Sequence, residues 1–222
     1  MDKIAILTCV LGGFDTLTDP VEQDMPTVFH RWTDKNFPPN VGLTPRLQYR
    51  IPKTHGWQML PGYDYYIWLD GSLSLLRQDC ATWYFSQLND ADIAFFAHPN
   101  RSAIRDEVQY IDDKLNRRTG LRAGQDYIIS RYENGGHKEQ LQEALSDPTF
   151  VDNKLYHSGT FIYRNTPKVQ DFMGDWLYTS ARYFTCDQVA LPWLLHKHKL
   201  KVNVMNEPIY KSGYCSLVSK HK

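Results

Sequence analysis

The chain has 222 residues and a formal net charge of zero, with 25 Lys and Arg against 25 Asp and Glu. That length suits one sizeable α/β domain, and the charge balance gives no basis for binding nucleic acid or an acidic membrane through bulk charge. Aromatic side chains are abundant, with 14 Tyr, 10 Phe and 6 Trp, which suits a thick core and also a site for flat or ring-shaped ligands.

The four cysteines, Cys9, Cys80, Cys186 and Cys215, form no CxxC pair. They read as reduced thiols, not as a disulfide framework or a zinc site. No signal peptide opens the chain at Met1 to Ile4 and no apolar run is long enough to cross a bilayer. The expectation is a soluble, cytoplasmic protein with no membrane span.

In chain order, Lys3 to Val10 is a buried strand that runs into Leu11-Gly12-Gly13-Phe14-Asp15. Paired glycines there permit a sharp turn or close approach of a ligand, but GxGxxG is absent, so the usual dinucleotide fingerprint is missing. The pair is either an ordinary loop or a nucleotide contact. Thr27 to Trp32 is a second strand, closed by Thr33-Asp34. Asp34 meets either a ribose or base, or its own backbone as a turn former. Thr44 to Leu60 carries Arg46, Arg50, Lys53 and His55, with Pro45 and Pro52 at positions that fit helix starts. These cations either line a solvated helix face or neutralise phosphates.

Tyr65 to Leu69 is an unbroken aromatic and apolar run, as in a strand buried on both faces. Asp70-Gly71-Ser72 follows. Ligands of open α/β sheets sit at the carboxyl ends of strands, so Asp70 is where a cation or a phosphate would be met.

Asp79 to Leu88 reads as a helix and Asp92 to Ala97 as a strand ending in His98-Pro99-Asn100-Arg101. Ala103 to Arg118 has a helical apolar stripe, with Asp106 and Glu107 on its polar face. Residues 123–132 and 137–145 read as two more helices. Leu155 to Arg164 is a strand interrupted by Ser158-Gly159, where glycine marks a bulge or the close approach of another group, such as a sugar. Thr166-Pro167 caps a helix to about Arg182. Thr185-x-x-Gln188 has capping-box spacing for the next helix, which runs to Lys199. Asp187 is then either helix-start chemistry or a carboxylate pointing into a cleft. His196 and His198 face different ways on it and share no metal. Lys201 to Met205 is a last strand, and the basic tail from Lys211 is a loose end or a flap over phosphates.

The run DYYIWLDGSLSL resembles the motif region of GT-A nucleotide-sugar glycosyltransferases. It is most similar to a hexosyltransferase-like family formerly known as a domain of unknown function. LTCVLGGFD, RLQYRIPKTHGWQMLPGYDYYIWLDGS, His98-Pro99-Asn100-Arg101, HSGTFIYRN and Asp187-Gln188 match its features in order. The resemblance implies one mixed, mainly parallel GT-A-like (Rossmann-like) domain over residues 1–222. Residues 1–100 would be the nucleotide-binding half, 101–150 a helical insert, and 151–222 the acceptor half and tail. It implies transfer of a hexose or deoxyhexose from a UDP-sugar to a glycan or small acceptor, as in polysaccharide biosynthesis, with Mn²⁺ or Mg²⁺.

On that resemblance, Thr8, Gly12, Gly13, Asp34, Arg50, Lys53, Asp70 and Ser72 bind the donor. Asp70 binds the metal. His98, Arg101, Gly159 and Gln188 meet the acceptor or sugar. Asp187 takes the acceptor's proton, with His157 in reserve. One departure stands out: many GT-A enzymes have Asp-x-Asp at this strand end, and here the third position is Ser72. That departure keeps open a non-catalytic carbohydrate- or nucleotide-sugar-binding protein of the same fold. A nucleotidylyltransferase is disfavoured by the lack of a Gly-rich, basic phosphate loop after the first strand.

Overall fold

Every residue from Tyr65 to Leu69 is buried, and the sheet is built outward from that strand. The structure, a computed structural model, describes residues 3–15, 18–117 and 132–217. Its strands are β1 (Ile4–Val10), β2 (Thr27–Thr33), β3 (Tyr65–Asp70), β4 (Leu73–Leu75), β5 (Ile93–Ala97), β6 (Tyr156–Arg164), β7 (Val202–Val204) and β8 (Cys215–Leu217). The described helices are α1 (Pro45–Met59), α2 (Cys80–Leu88), α3 (Ile104–Arg117), α4 (His137–Leu145), α5 (Pro167–Tyr183) and α6 (Asp187–Lys197).

Six strands form one sheet in the order β2-β1-β3-β6-β5-β7. β6 runs against both its neighbours, and all other pairs are parallel. This mixed, mainly parallel sheet flanked by helices is the Rossmann-like α/β arrangement the sequence implies. Side chains alternate between two cores, as the strand period demands. Ala5, Leu7, Tyr66 and Trp68 pack with α5 and α6. Ile4, Ile6, Ile67 and Leu69 pack with α2 and Cys215. By the same alternation Asp70 falls on the side of α5 and α6. A smaller core joins α3, α4 and the start of α6 through Ile104, Ile111, Ala144 and Val189.

Several local expectations hold. Thr166 caps α5 by accepting from the Val169 amide at 3.4 Å, with Pro167 in the first turn. β6 does bulge: Phe95 pairs with Phe161 while Phe96 pairs with His157. All four cysteines are free and buried.

Others need correction. Pro52 does not start a helix. It lies inside α1, where its missing N–H removes a ladder bond, and the backbone leaves helical geometry at His55. Thr185 makes no capping box. α6 begins after Cys186 without a side-chain cap, and the Thr185 hydroxyl donates to Gln140 Oε1 at 2.7 Å instead. Glu107 is no polar face: it is 7% exposed and pairs with Arg101. The tail is not loose as far as Leu217, because β8 pairs antiparallel with β4. The helix expected over 123–132 lies outside the described residues except for Tyr132. No helix among the described residues is long and apolar enough to cross a membrane.

Phe161 is fully buried, with its ring 5.1 Å from Phe95 and 5.5 Å from Trp176. Phe161→Ala is expected to cost roughly 3–5 kcal/mol, the range for deleting a buried aromatic ring, as measured by denaturant unfolding.

Candidate active site

The carboxyl ends of β1 and β3 open on a cleft of about 310 Å³, flanked by Ser158 of β6 and the first residues of α6. Its floor is an ion network. Helical spacing puts Arg46, Tyr49, Arg50 and Lys53 on one side of α1. Arg50 pairs with Asp187 and also donates to the Thr185 carbonyl at 2.8 Å. Lys53, only 1% exposed, bridges two carboxylates, with Nζ 3.1 Å from Asp187 Oδ2 and 3.2 Å from Asp70 Oδ1. Burial on this scale is tolerated for a charge only when it is paired.

Asp187 accepts two further bonds, from Trp176 Nε1 at 3.0 Å and Ser158 Oγ at 3.2 Å. Burial alone would raise its pKa, but Arg50 and then Lys53 outweigh that and hold the carboxyl well below the usual carboxylate range. Asp70 is held on one oxygen only. Its Oδ1 accepts from Trp68 Nε1 at 2.7 Å, Tyr49 hydroxyl at 2.8 Å and Lys53. Its Oδ2 has no donor among the described residues, and the side chain is 29% exposed at the cleft. Burial, and then the Asp70 charge, push the Tyr49 hydroxyl well above its ordinary value, so it stays a donor.

Of the residues expected in the site, Gly12, Arg50, Asp70, Ser72, Asp187 and Gln188 line the cleft, and Lys53 lies beneath it. Thr8 is elsewhere, in a recess of about 20 Å³. Asp34 bonds a distant loop and not its own backbone as a turn former: both carboxylate oxygens accept from the Gly12 amide, at 3.1 and 3.0 Å. This fixes the glycine turn, where Gly12 and Gly13 have φ of +65° and +62°. Gly13 does not line the cleft. The group that approaches Gly159 closely is the His157 ring, 2.6 Å from where a Cβ would stand.

His98 and Arg101 sit with His157 and Glu107 outside the cleft lining. His98 Nε2 is 4.0 Å from Glu107, and Arg101 pairs with that same carboxylate. Burial, then Arg101, push His98 down to about 4. Burial also pushes His157 down to about 4, against the pull of Asp70.

Sequence reasoning missed Asp15, Tyr49, Trp176 and Ser158. The Tyr49–Lys53 spacing of one helical turn was the available signal for Tyr49. Ser158 was noticed only as part of the Ser158-Gly159 interruption and Asp15 only as the end of LTCVLGGFD, neither with a role; nothing in the sequence pattern announces Trp176. A wider groove of about 720 Å³ runs past Phe150, Trp193 and His196, but no strand-end acid lines it.

No family model and no curated protein matches the chain. Among solved structures, the apo form of mouse xyloside xylosyltransferase 1 is similar at 14% identity and a TM-score of 0.40. The match covers 80% of this chain, which spans 62% of that one.

Two measurements test the electrostatics. Asp187→Asn leaves two buried cations short of a counter-charge and is expected to lose roughly 3–5 kcal/mol at pH 7, read by denaturant unfolding. The folded pKa of Asp187 is below the ordinary 3.8. Its contribution is therefore complete at neutral pH and begins to fall only below about pH 4. The two histidines act in a higher window. Their folded values near 4 lie below the ordinary 6.5, so the unfolded chain takes up protons first and stability declines as pH drops from 6.5 towards 4. The melting temperature of a His98→Gln, His157→Gln double variant should be flatter across that window than the wild type's; an equal slope would show that the rings are already charged in the fold.

Proposed function

We propose that the chain is a nucleotide-sugar glycosyltransferase whose donor diphosphate lies in the cleft against Asp70. The observation that carries this is a half-committed carboxylate at the end of the central strand. One oxygen is fixed by three donors and the other is open towards a cavity. Ligands of open α/β sheets bind at that edge. A UDP-sugar is the donor favoured by the sequence resemblance, with a glycan or small molecule as acceptor. Residues 1–100 then carry the nucleotide and residues 151–222 the acceptor.

Charge balance supports a divalent cation. Asp15, Asp70 and Asp187 line the cleft, against Arg46 and Arg50 at its wall and Lys53 below. The site is therefore near neutral before a donor enters. Arg50 and Lys53 are already engaged by Asp187 and Asp70. An incoming diphosphate therefore brings negative charge that these two engaged cations do not match. The donor set fits a hard cation, since Asp70 Oδ2 and Ser72 Oγ are oxygen ligands. No group of three or more His, Cys, Asp or Glu gathers among the described residues. Mg²⁺ and Mn²⁺ sites of this kind use one or two carboxylates plus substrate phosphates. When bound, the cation would neutralise charge on the leaving diphosphate.

The chain's own residues do the rest. Lys53, Tyr49 and Trp68 orient Asp70. Gly12, on the turn pinned by Asp34, brings backbone to the cleft edge. Gln188 and Ser158 present polar groups to the sugar side. Asp187 serves as the anchor of Arg50 and Lys53. A carboxylate so strongly acidified is a weak proton acceptor, which argues for the anchoring role over the proton-accepting role expected from sequence.

A thermal-shift panel of UDP, GDP, ADP and dTDP, each with and without Mn²⁺, tests the assignment. Ligand at 100 times its Kd stabilises by about 2.7 kcal/mol, roughly 5–10 °C for a chain of this size. A rise with one nucleotide that needs Mn²⁺, and that disappears in Asp70→Asn, is expected. A response to free oligosaccharides but to no nucleotide would favour the non-catalytic binding protein that Ser72 keeps in view.

A further inference from the structure

We propose that Asp15, from the loop after β1, is the second carboxylate of the cation site at Asp70, with the Ser72 hydroxyl as a third oxygen. The inference rests on the transferase reading and says how that site is completed. The residue two places past Asp70 is a serine, so β3 itself offers only one acid. The structure brings another from a different strand end.

The contact runs through Gly71. A Cβ there would stand 3.1 Å from Asp15 Oδ2, 2.5 Å from Val10 Cγ2 and 3.2 Å from the Cys9 carbonyl. The Asp15 carboxylate thus rests on the bare Cα of the residue that follows Asp70. Both acids line the same cleft. The positive φ values of Gly12 and Gly13 turn the loop, and Asp34 pins it through the Gly12 amide.

Ser72 is an independent indication of a ligand. It is 6% exposed and lines the cleft, yet its hydroxyl has no hydrogen-bond partner among the described residues. A hydroxyl that its own chain leaves uncommitted at the lining of the cleft is available to a ligand there. Asp70 Oδ2 likewise has no donor among the described residues. An arrangement of carboxylate and hydroxyl oxygens selects a hard cation such as Mg²⁺ or Mn²⁺ over a softer metal.

The test measures Mn²⁺ binding directly, by loss of the free-ion electron paramagnetic resonance signal, on the full chain with and without UDP. Wild type, Asp15→Asn, Ser72→Ala and Asp70→Asn are compared, and far-UV circular dichroism and melting temperature confirm that each is folded. Asp15→Asn is expected to weaken Mn²⁺ binding in the presence of UDP by about tenfold or more, since even loss of a supporting partner costs a metal site 10–100-fold. Ser72→Ala is expected to weaken it less. Wild-type affinity in a folded Asp15→Asn, with binding lost in Asp70→Asn, overturns the inference and leaves the transferase reading intact. UDP binding to wild type without any Mn²⁺ uptake also overturns it while the nucleotide site stands. Binding of neither UDP nor Mn²⁺ removes both.

Discussion

Lys53 is the ion on which the site depends. Its ammonium is buried between Asp70 and Asp187, and Arg50 closes the other side of Asp187. Two unit charges about 4 Å apart attract by about 4 kcal/mol at the effective dielectric of a protein edge. Desolvation of each ion offsets much of that, so the network is a poor source of net stability. Its effect is geometric. It ties α1 to the end of β3 and to the first turn of α6, with Ser158 of β6 and Trp176 of α5 attached to the same carboxylate. A shift of α1 against α6 would strand a buried charge.

That coupling explains why the cleft lies where it does. β6 runs against its neighbours, so its amino end reaches the edge where β1 and β3 terminate. The bulge there turns Ser158 towards Asp187. Asp187 also sits in the first turn of α6, where the helix dipole favours a negative charge. Hydrophobic alternation places Asp70 on the side of the sheet that α5 and α6 cover. Local periodicity and long-range charge pairing thus converge on one point.

The same division separates what the sequence discloses from what it withholds. Strand positions were legible because Tyr65 to Leu69 and its neighbours carry dense apolar runs, and Thr166-Pro167 announced its helix through local chemistry. Asp70 was legible because it ends such a run. The roles of Arg50 and Lys53 were not. Read locally they fit either a wet helix face or phosphate binding, and only contact with Asp187, 134 residues beyond Lys53, makes them internal. The capping box at Thr185 failed for a similar reason: Gln140, 45 residues away, took the hydroxyl. Asp34 departed from its local reading too: its partner is the Gly12 amide after β1, brought near by the pairing of β1 with β2. Asp15 closes the LTCVLGGFD stretch, but its local pattern gives no hint of Gly71, which it reaches only through the pairing of β1 with β3.

The two-stranded ribbon has a temporal corollary. Leu73–Leu75 follows Asp70 almost at once, yet its hydrogen-bonding partner is Cys215–Leu217. Loop-closure entropy must be overcome before so distant a pairing is rewarded. During synthesis the ribosome therefore releases the segment bearing Asp70 long before the strand that braces its downstream flank. The parallel pairs β1–β2 and β1–β3 can assemble before that, whereas the flank of the cleft gains this support only once Cys215–Leu217 has been made. For this architecture, the bracing of the segment after Asp70 must wait for a far later stretch of the chain.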